Sequence, residues 1–140
     1  MNGATVRVYS KAKDGQTRPY MSNGKRCTNF TVNEFACTEG SDPVFIAPEL
    51  VTVLQNIRTH FGRAVKITGP YRTPPHNQKV GGATYSQHQY GTAADIKVTG
   101  ATPKEVAAYA EKLMPNKGGI GIYDSFVHVD VRKAKSRWKG

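Results

Sequence analysis

Acid is scarce in this chain of 140 residues: 10 Asp and Glu stand against 20 Lys and Arg, for a formal charge of +10. Cysteine is nearly absent, with only Cys27 and Cys37, and there is a single tryptophan, Trp138. Two cysteines exclude a disulfide-dense scaffold and a structural zinc site built on cysteine pairs. Nine residues lie between them, Phe30, Val32 and Phe35 included. Pairing, buried free thiols and metal binding are all open to them, with buried free thiols expected first and a disulfide second. No apolar run approaches the roughly 20 residues that cross a bilayer, so membrane insertion is not expected. The opening residues Met1-Asn2-Gly3-Ala4-Thr5-Val6-Arg7 lack the apolar stretch of a secretory signal. Missing too is any nucleic-acid motif or interleaved aromatic and basic platform, so nucleic acid is not the expected partner. The positive charge then points to a solvated surface or to another polyanion, such as anionic lipid or a phosphate-bearing cell wall.

What is present is enough for one domain. At this length a chain buries roughly two-thirds of its unfolded surface, and a 38% hydrophobic content fits a globular protein and not a disordered one. A short strand is expected over residues 4–9. A helix is expected over 47–61: Pro48 suits its first position, Gly62 its stop, and Leu50, Val53, Leu54, Ile57 and Phe61 share one face. A strand follows over 64–69, then a segment where Pro70, Pro74 and Pro75 argue against regular structure and for a stiff loop. Residues 93–98 read as a central strand. Thr102-Pro103-Lys104-Glu105 is a capping box that opens a second helix carrying Val106, Ala107, Ala110, Leu113 and Met114. The expected fold is α+β, a small antiparallel sheet with these two helices packed on its other side.

Two stretches carry chemistry. The first is Ser86-Gln87-His88-Gln89-Tyr90-Gly91-Thr92-Ala93-Ala94-Asp95-Ile96, which presents an imidazole from a loop and a carboxylate from a strand start. In the second, Phe126, His128 and Asp130 alternate with Val127, Val129 and Val131, so period two puts the first three on one sheet face. Two imidazoles and one carboxylate leave one position of a tetrahedral zinc open, as hydrolytic sites require.

The pattern Ser-x-His-x-x-Gly-x-Ala-x-Asp, followed about 30 residues later by a strand bearing His, resembles the zinc D-alanyl-D-alanine carboxypeptidase family. That family belongs to the superfamily that includes lysostaphin-type peptidases and the hedgehog signalling domain. The resemblance runs from Asn29 to Arg132, leaving residues 1–28 as an N-terminal extension or edge strand and 133–140 as a basic tail. It implies a Zn2+ peptidase acting on bacterial peptidoglycan stem peptides, with His88, Asp95 and His128 as ligands. Arg72, in Tyr71-Arg72, matches a guanidinium that faces the substrate carbonyl or carboxylate, and a fixed cationic fork suits that task. Ser86 and Tyr71 are expected behind the ligands.

The chain departs from the family where relatives carry an acid and a second histidine before the last ligand; here those positions hold Ser125 and Phe126. Two carboxylates remain for the general base: Asp130, which follows His128 on the same face, as in a family branch ending Phe-Val-His-Val-Asp, and Asp124, in the preceding turn. Asp130 is the first expectation. Size, basic surface and the missing signal resemble a phage endolysin, expected to act as a monomer and to stay in the host cytoplasm until released to the wall. A bacterial wall enzyme of the periplasm is the alternative context. Two rival readings are a zinc-bearing binding module without catalysis and a basic nucleic-acid-binding protein with incidental histidines.

Overall fold

In the computed structural model, which describes residues 5–83 and 85–140, the site is carried by a five-stranded sheet in the order β3-β4-β6-β5-β7. These strands are β3 (Val65–Gly69), β4 (Ala93–Val98), β5 (Gly119–Ile122), β6 (Val127–Asp130) and β7 (Ser136–Lys139). The first four pair antiparallel, as expected for the sheet. The difference lies at the far edge. The segment read as a basic tail forms β7, which pairs parallel with β5, so the sheet is mixed. Trp138 explains the pairing: it packs its ring 5.0 Å from the His128 ring and donates its indole N–H to the Tyr123 hydroxyl.

Strand alternation divides the sheet into two chemically different faces. Ala94, Ile96, Val127 and Val129 are fully buried on the core side, where α2 (Pro48–Phe61) and α4 (Pro103–Leu113) pack. The α2 helix begins at Pro48 and ends at Gly62 in the left-handed conformation, and it buries Leu50, Val53, Leu54 and Ile57. The α4 helix begins at the capping box, where Thr102 and Glu105 bond each other's backbone N–H. Neither is long and apolar enough to cross a membrane, and no other helix among the described residues is either.

The N-terminal segment joins the core. The expected strand over 4–9 appears as β1 (Arg7–Ser10); Ala4 lies outside the described residues. It pairs antiparallel with β2 (Pro43–Ile46) in a separate two-stranded sheet, and α1 (Lys11–Asp14) follows it. Tyr9 and Cys27 are buried in the same core as α2, beside Phe30 and Phe35. Both cysteines are buried free thiols, in line with the first expectation.

A second difference concerns the proline segment. Pro74 and Pro75 do not prevent regular structure; they start α3 (Pro74–Lys79), with Thr73 as N-cap accepting from His76 N. Amides in the first helical turn lack intrahelical acceptors, so proline costs no hydrogen bond there.

Because β7 covers the β5 edge and brings Trp138 to the site, a chain ending at residue 132 should be less stable by more than about 1 kcal/mol and prone to edge-to-edge association. Urea unfolding and light scattering check this. An unchanged midpoint in a monodisperse sample would mean that 133–140 is a dispensable tail.

Candidate metal centre

Register creates the site. Across the β4–β6 ladder Asp95 lies directly opposite His128, and Ala93 opposite Asp130. Asp95 Oδ1 sits 3.0 Å from His128 Nδ1 and 3.4 Å from His88 Nε2. His88 comes from a 3-10 turn, Gln87–Tyr90, which Ser86 opens by accepting from His88 N and Gly91 closes with φ of 72°. One donor atom from each of His88, Asp95 and His128 lies within 4.8 Å of the others.

The outer ring nitrogens are tied back. His88 Nδ1 is 3.0 Å from the Pro70 carbonyl, which can only accept, so Nδ1 carries the proton and the Nε2 lone pair faces inward. His128 Nε2 lies 2.8 Å from Asp130 Oδ2, which leaves its Nδ1 for the cluster. Two oriented imidazoles and a carboxylate, each imidazole braced by an oxygen behind it, are the donor set and bracing of a zinc site. The residues present fit the ion.

Charge is balanced tightly around Asp95. Burial alone would raise its carboxyl pKa, but the bonds from His128 and His88 outweigh it and hold the group well below the usual carboxylate range. Backbone space is also reserved. A Cβ at Gly69, opposite Asp95, would meet the carboxylate at 2.3 Å, and one at Gly119 would meet the Asp130 carboxylate at 2.2 Å.

Asp130 is fully buried. Its Oδ1 accepts from Gly119 N, Arg132 N and Arg132 Nε, and its Oδ2 accepts from Arg132 Nη2 at 2.7 Å and faces His128. These bonds outweigh the burial that would otherwise raise its pKa and hold the group low. Its oxygens are committed, and it stands behind His128, not in the cleft. Asp124 contrasts with it: exposed in the turn between Tyr123 and Phe126, it has no hydrogen-bond or ion-pair partner among the described residues.

The donors open onto a cleft of about 390 Å³, walled by Arg72, Tyr123, Phe126, Arg132 and Trp138. Neither Asp124 nor Asp130 lines it. Arg72 Nη1 donates to Asn77 Oδ1 at 3.1 Å, and Nη2 lies 3.9 Å from Asp95 Oδ2, so the guanidinium is anchored at the edge of the donor cluster. Tyr123 stacks on Phe126 at 4.4 Å, and its hydroxyl accepts from Trp138, which leaves its own proton free to donate. A larger groove of about 490 Å³ beside α4 shares Trp138 but holds no histidine, and its one carboxylate, Glu111, is paired with Arg137. The candidate metal donors lie in the smaller cleft.

His88, Asp95, His128 and Arg72 thus come together from four separate segments, and Ser86 supports the turn of His88. Tyr71 does not reach the cleft. It is buried against Phe45, with ring centroids 5.4 Å apart, and its N–H bonds Phe35 O. Arg132, Asn77, Tyr123 and the Pro70 carbonyl escaped sequence reasoning. Only Arg132 left a legible trace, as the cation two residues past a sheet-face acid.

A family model described as Peptidase M15 matches residues 28–130. The chain belongs to the M15 peptidase family. No curated protein matches it significantly. Membership supports a metallopeptidase directed at peptidoglycan, and M15 peptidases are zinc enzymes, which accords with the donor cluster at His88, Asp95 and His128.

Two predictions come from this geometry. In Asp130→Asn the brace behind the His128 ring loses its negative charge, and zinc affinity should fall by about 10–100-fold, read by competition with a chromophoric chelator; unaltered affinity would make the Asp130 charge irrelevant to the ligand. The second concerns pH. Burial alone would lower the His128 pKa, but Asp130 and Asp95 reverse this and raise it. A proton must leave before an ion binds, so affinity should decline with falling pH from above the ordinary imidazole value of about 6.5. Calorimetric zinc titrations across pH check this, and a flat affinity down to that value would contradict it.

Proposed function

We propose that this M15 peptidase is a zinc-dependent hydrolase of an amide bond in the peptidoglycan stem peptide. The observation that carries the reading is the cluster of His88 Nε2, Asp95 Oδ1 and His128 Nδ1 at an open cleft, with both outer ring nitrogens already tied back. A bound zinc ion supplies Lewis acidity and lowers the pKa of water.

The chain's own residues divide the remaining work. Arg72, held by Asn77, offers its guanidinium to the substrate carbonyl oxygen or carboxylate, where developing negative charge strengthens the interaction. The Tyr123 hydroxyl is a second donor from the opposite wall. For the proton taken from the attacking water and returned to the leaving amine, we assign Asp124, a free carboxylate next to the cleft-wall residue Tyr123 that reaches the water once its turn bends inward. Asp130 takes the positioning role, because a fully bonded buried carboxylate has no lone pair to offer. This reverses the first expectation from sequence. A phage-endolysin-type endopeptidase and a D-Ala-D-Ala carboxypeptidase are the two specificities that the reading covers.

Purified peptidoglycan incubated with and without a chelator, with products read by mass spectrometry, tests it. Chelator-sensitive loss of D-alanine identifies a carboxypeptidase, and freed stem peptides an endopeptidase. Stoichiometric zinc with no product from several wall types would instead favour a binding module. Asp124→Asn should lower kcat by about 100-fold or more at unchanged zinc content, and full activity would remove Asp124 from the proton path. His88→Ala should lose zinc and cleavage together.

A further inference from the structure

Away from the cleft, a second set of metal-binding side chains converges. Cys37 and Glu39 follow the 3-10 turn Val32–Phe35, and His76 projects from α3. One donor atom from each lies within 4.8 Å of the others. We propose that Cys37, Glu39 and His76 form a second metal site, a thiolate–carboxylate–imidazole site for a borderline divalent cation such as zinc. It shares no ligand with the His88–Asp95–His128 centre.

Among the described residues, Cys37 is buried without a hydrogen-bond partner for its thiol. It is 1% exposed, and among the described residues its Sγ has no hydrogen-bond partner, whereas Cys27 Sγ donates to Phe30 O at 3.4 Å. A buried thiol aimed at an imidazole and a carboxylate, with no acceptor of its own, has a ready partner in a cation. The other two donors are braced. Glu39 Oε1 accepts from Thr73 Oγ1 at 2.6 Å and from Ser41 Oγ, and His76 Nε2 lies 3.1 Å from Thr38 Oγ1. Hydroxyls from both segments thus hold the carboxylate and imidazole beside the thiol, as outer partners hold metal ligands. Donor type completes the case: one sulfur, one nitrogen and one oxygen suit zinc or cobalt(II) and not a hard cation such as calcium or magnesium. Binding releases the Cys37 thiol proton to solvent.

Position gives the site a purpose. The ion would fasten residues 37–39 to α3, a helix of six residues that also carries Asn77. Asn77 holds Arg72 on one side and donates to Ala83 O on the other. The site therefore stiffens the mount of the cleft guanidinium without touching the cleft.

Cobalt(II) titrated into the metal-free full chain tests the proposal, because a thiolate–cobalt charge-transfer band in the near ultraviolet cannot come from the thiol-free catalytic donors. The band should saturate by two equivalents per chain, because the His88–Asp95–His128 centre fills as well, by one equivalent in His88→Ala, and persist in Cys27→Ser. It should vanish in Cys37→Ser and need at least about tenfold more cobalt in His76→Ala. No band in the folded wild-type chain overturns the site. So does a band unchanged in His76→Ala and Glu39→Gln, which would mark simple capture by a thiol. Since turnover is not measured, the outcome is independent of the peptidase reading.

Discussion

Everything at the centre of this molecule depends on one cross-strand pair, Asp95 opposite His128. In an antiparallel ladder a slip of one residue turns every side chain to the other face. Here a slip of β6 would bury His128 among Leu, Ile and Val and expose Val127 and Val129 to the cleft. The apolar face under α2 and α4 therefore sets the register, and the register sets the site. Core packing and metal-ligand geometry are two readings of one constraint.

Around that pair the protein has built an alternating row of charge: Arg72, Asp95, His128, Asp130 and Arg132. Each carboxylate sits between cationic or proton-donating neighbours, which is how carboxylates survive burial at this depth. Asp130 is the extreme case, fully enclosed, with donors from Gly119, His128 and Arg132. Removing one member of such a row leaves a buried charge without its partner, a loss of about 3 kcal/mol or more. The arrangement gives His128 one orientation, with Nδ1 toward the cleft.

Much of this was legible in the sequence, for identifiable reasons. Period-two alternation in Phe126–Val131 placed His128 and Asp130 on one face, and helical periodicity with Pro48 and Gly62 bounded α2 closely. The resemblance supplied the ligand set, and the M15 family match covers the same region. What the sequence concealed were long-range and saturation effects. Lys133–Gly140 has no apolar alternation to mark it as a strand, because β7 is held by Trp138 and by pairing with β5. Pro74 and Pro75 signal a break in isolation and a helix start once Thr73 caps them. Whether Asp130 is a base or a brace turns on how many donors surround it, and spacing along the chain carries no such count.

Whether His88, Asp95 and His128 hold a metal ion in the geometry that their braced rings prescribe is open to direct observation. Anomalous diffraction at the zinc edge, from crystals grown with excess zinc, addresses it directly. The expected result is a peak bonded to His88 Nε2, Asp95 Oδ1 and His128 Nδ1, with Asp130 still on His128 Nε2. No peak at those three atoms, whatever else binds zinc, would contradict it.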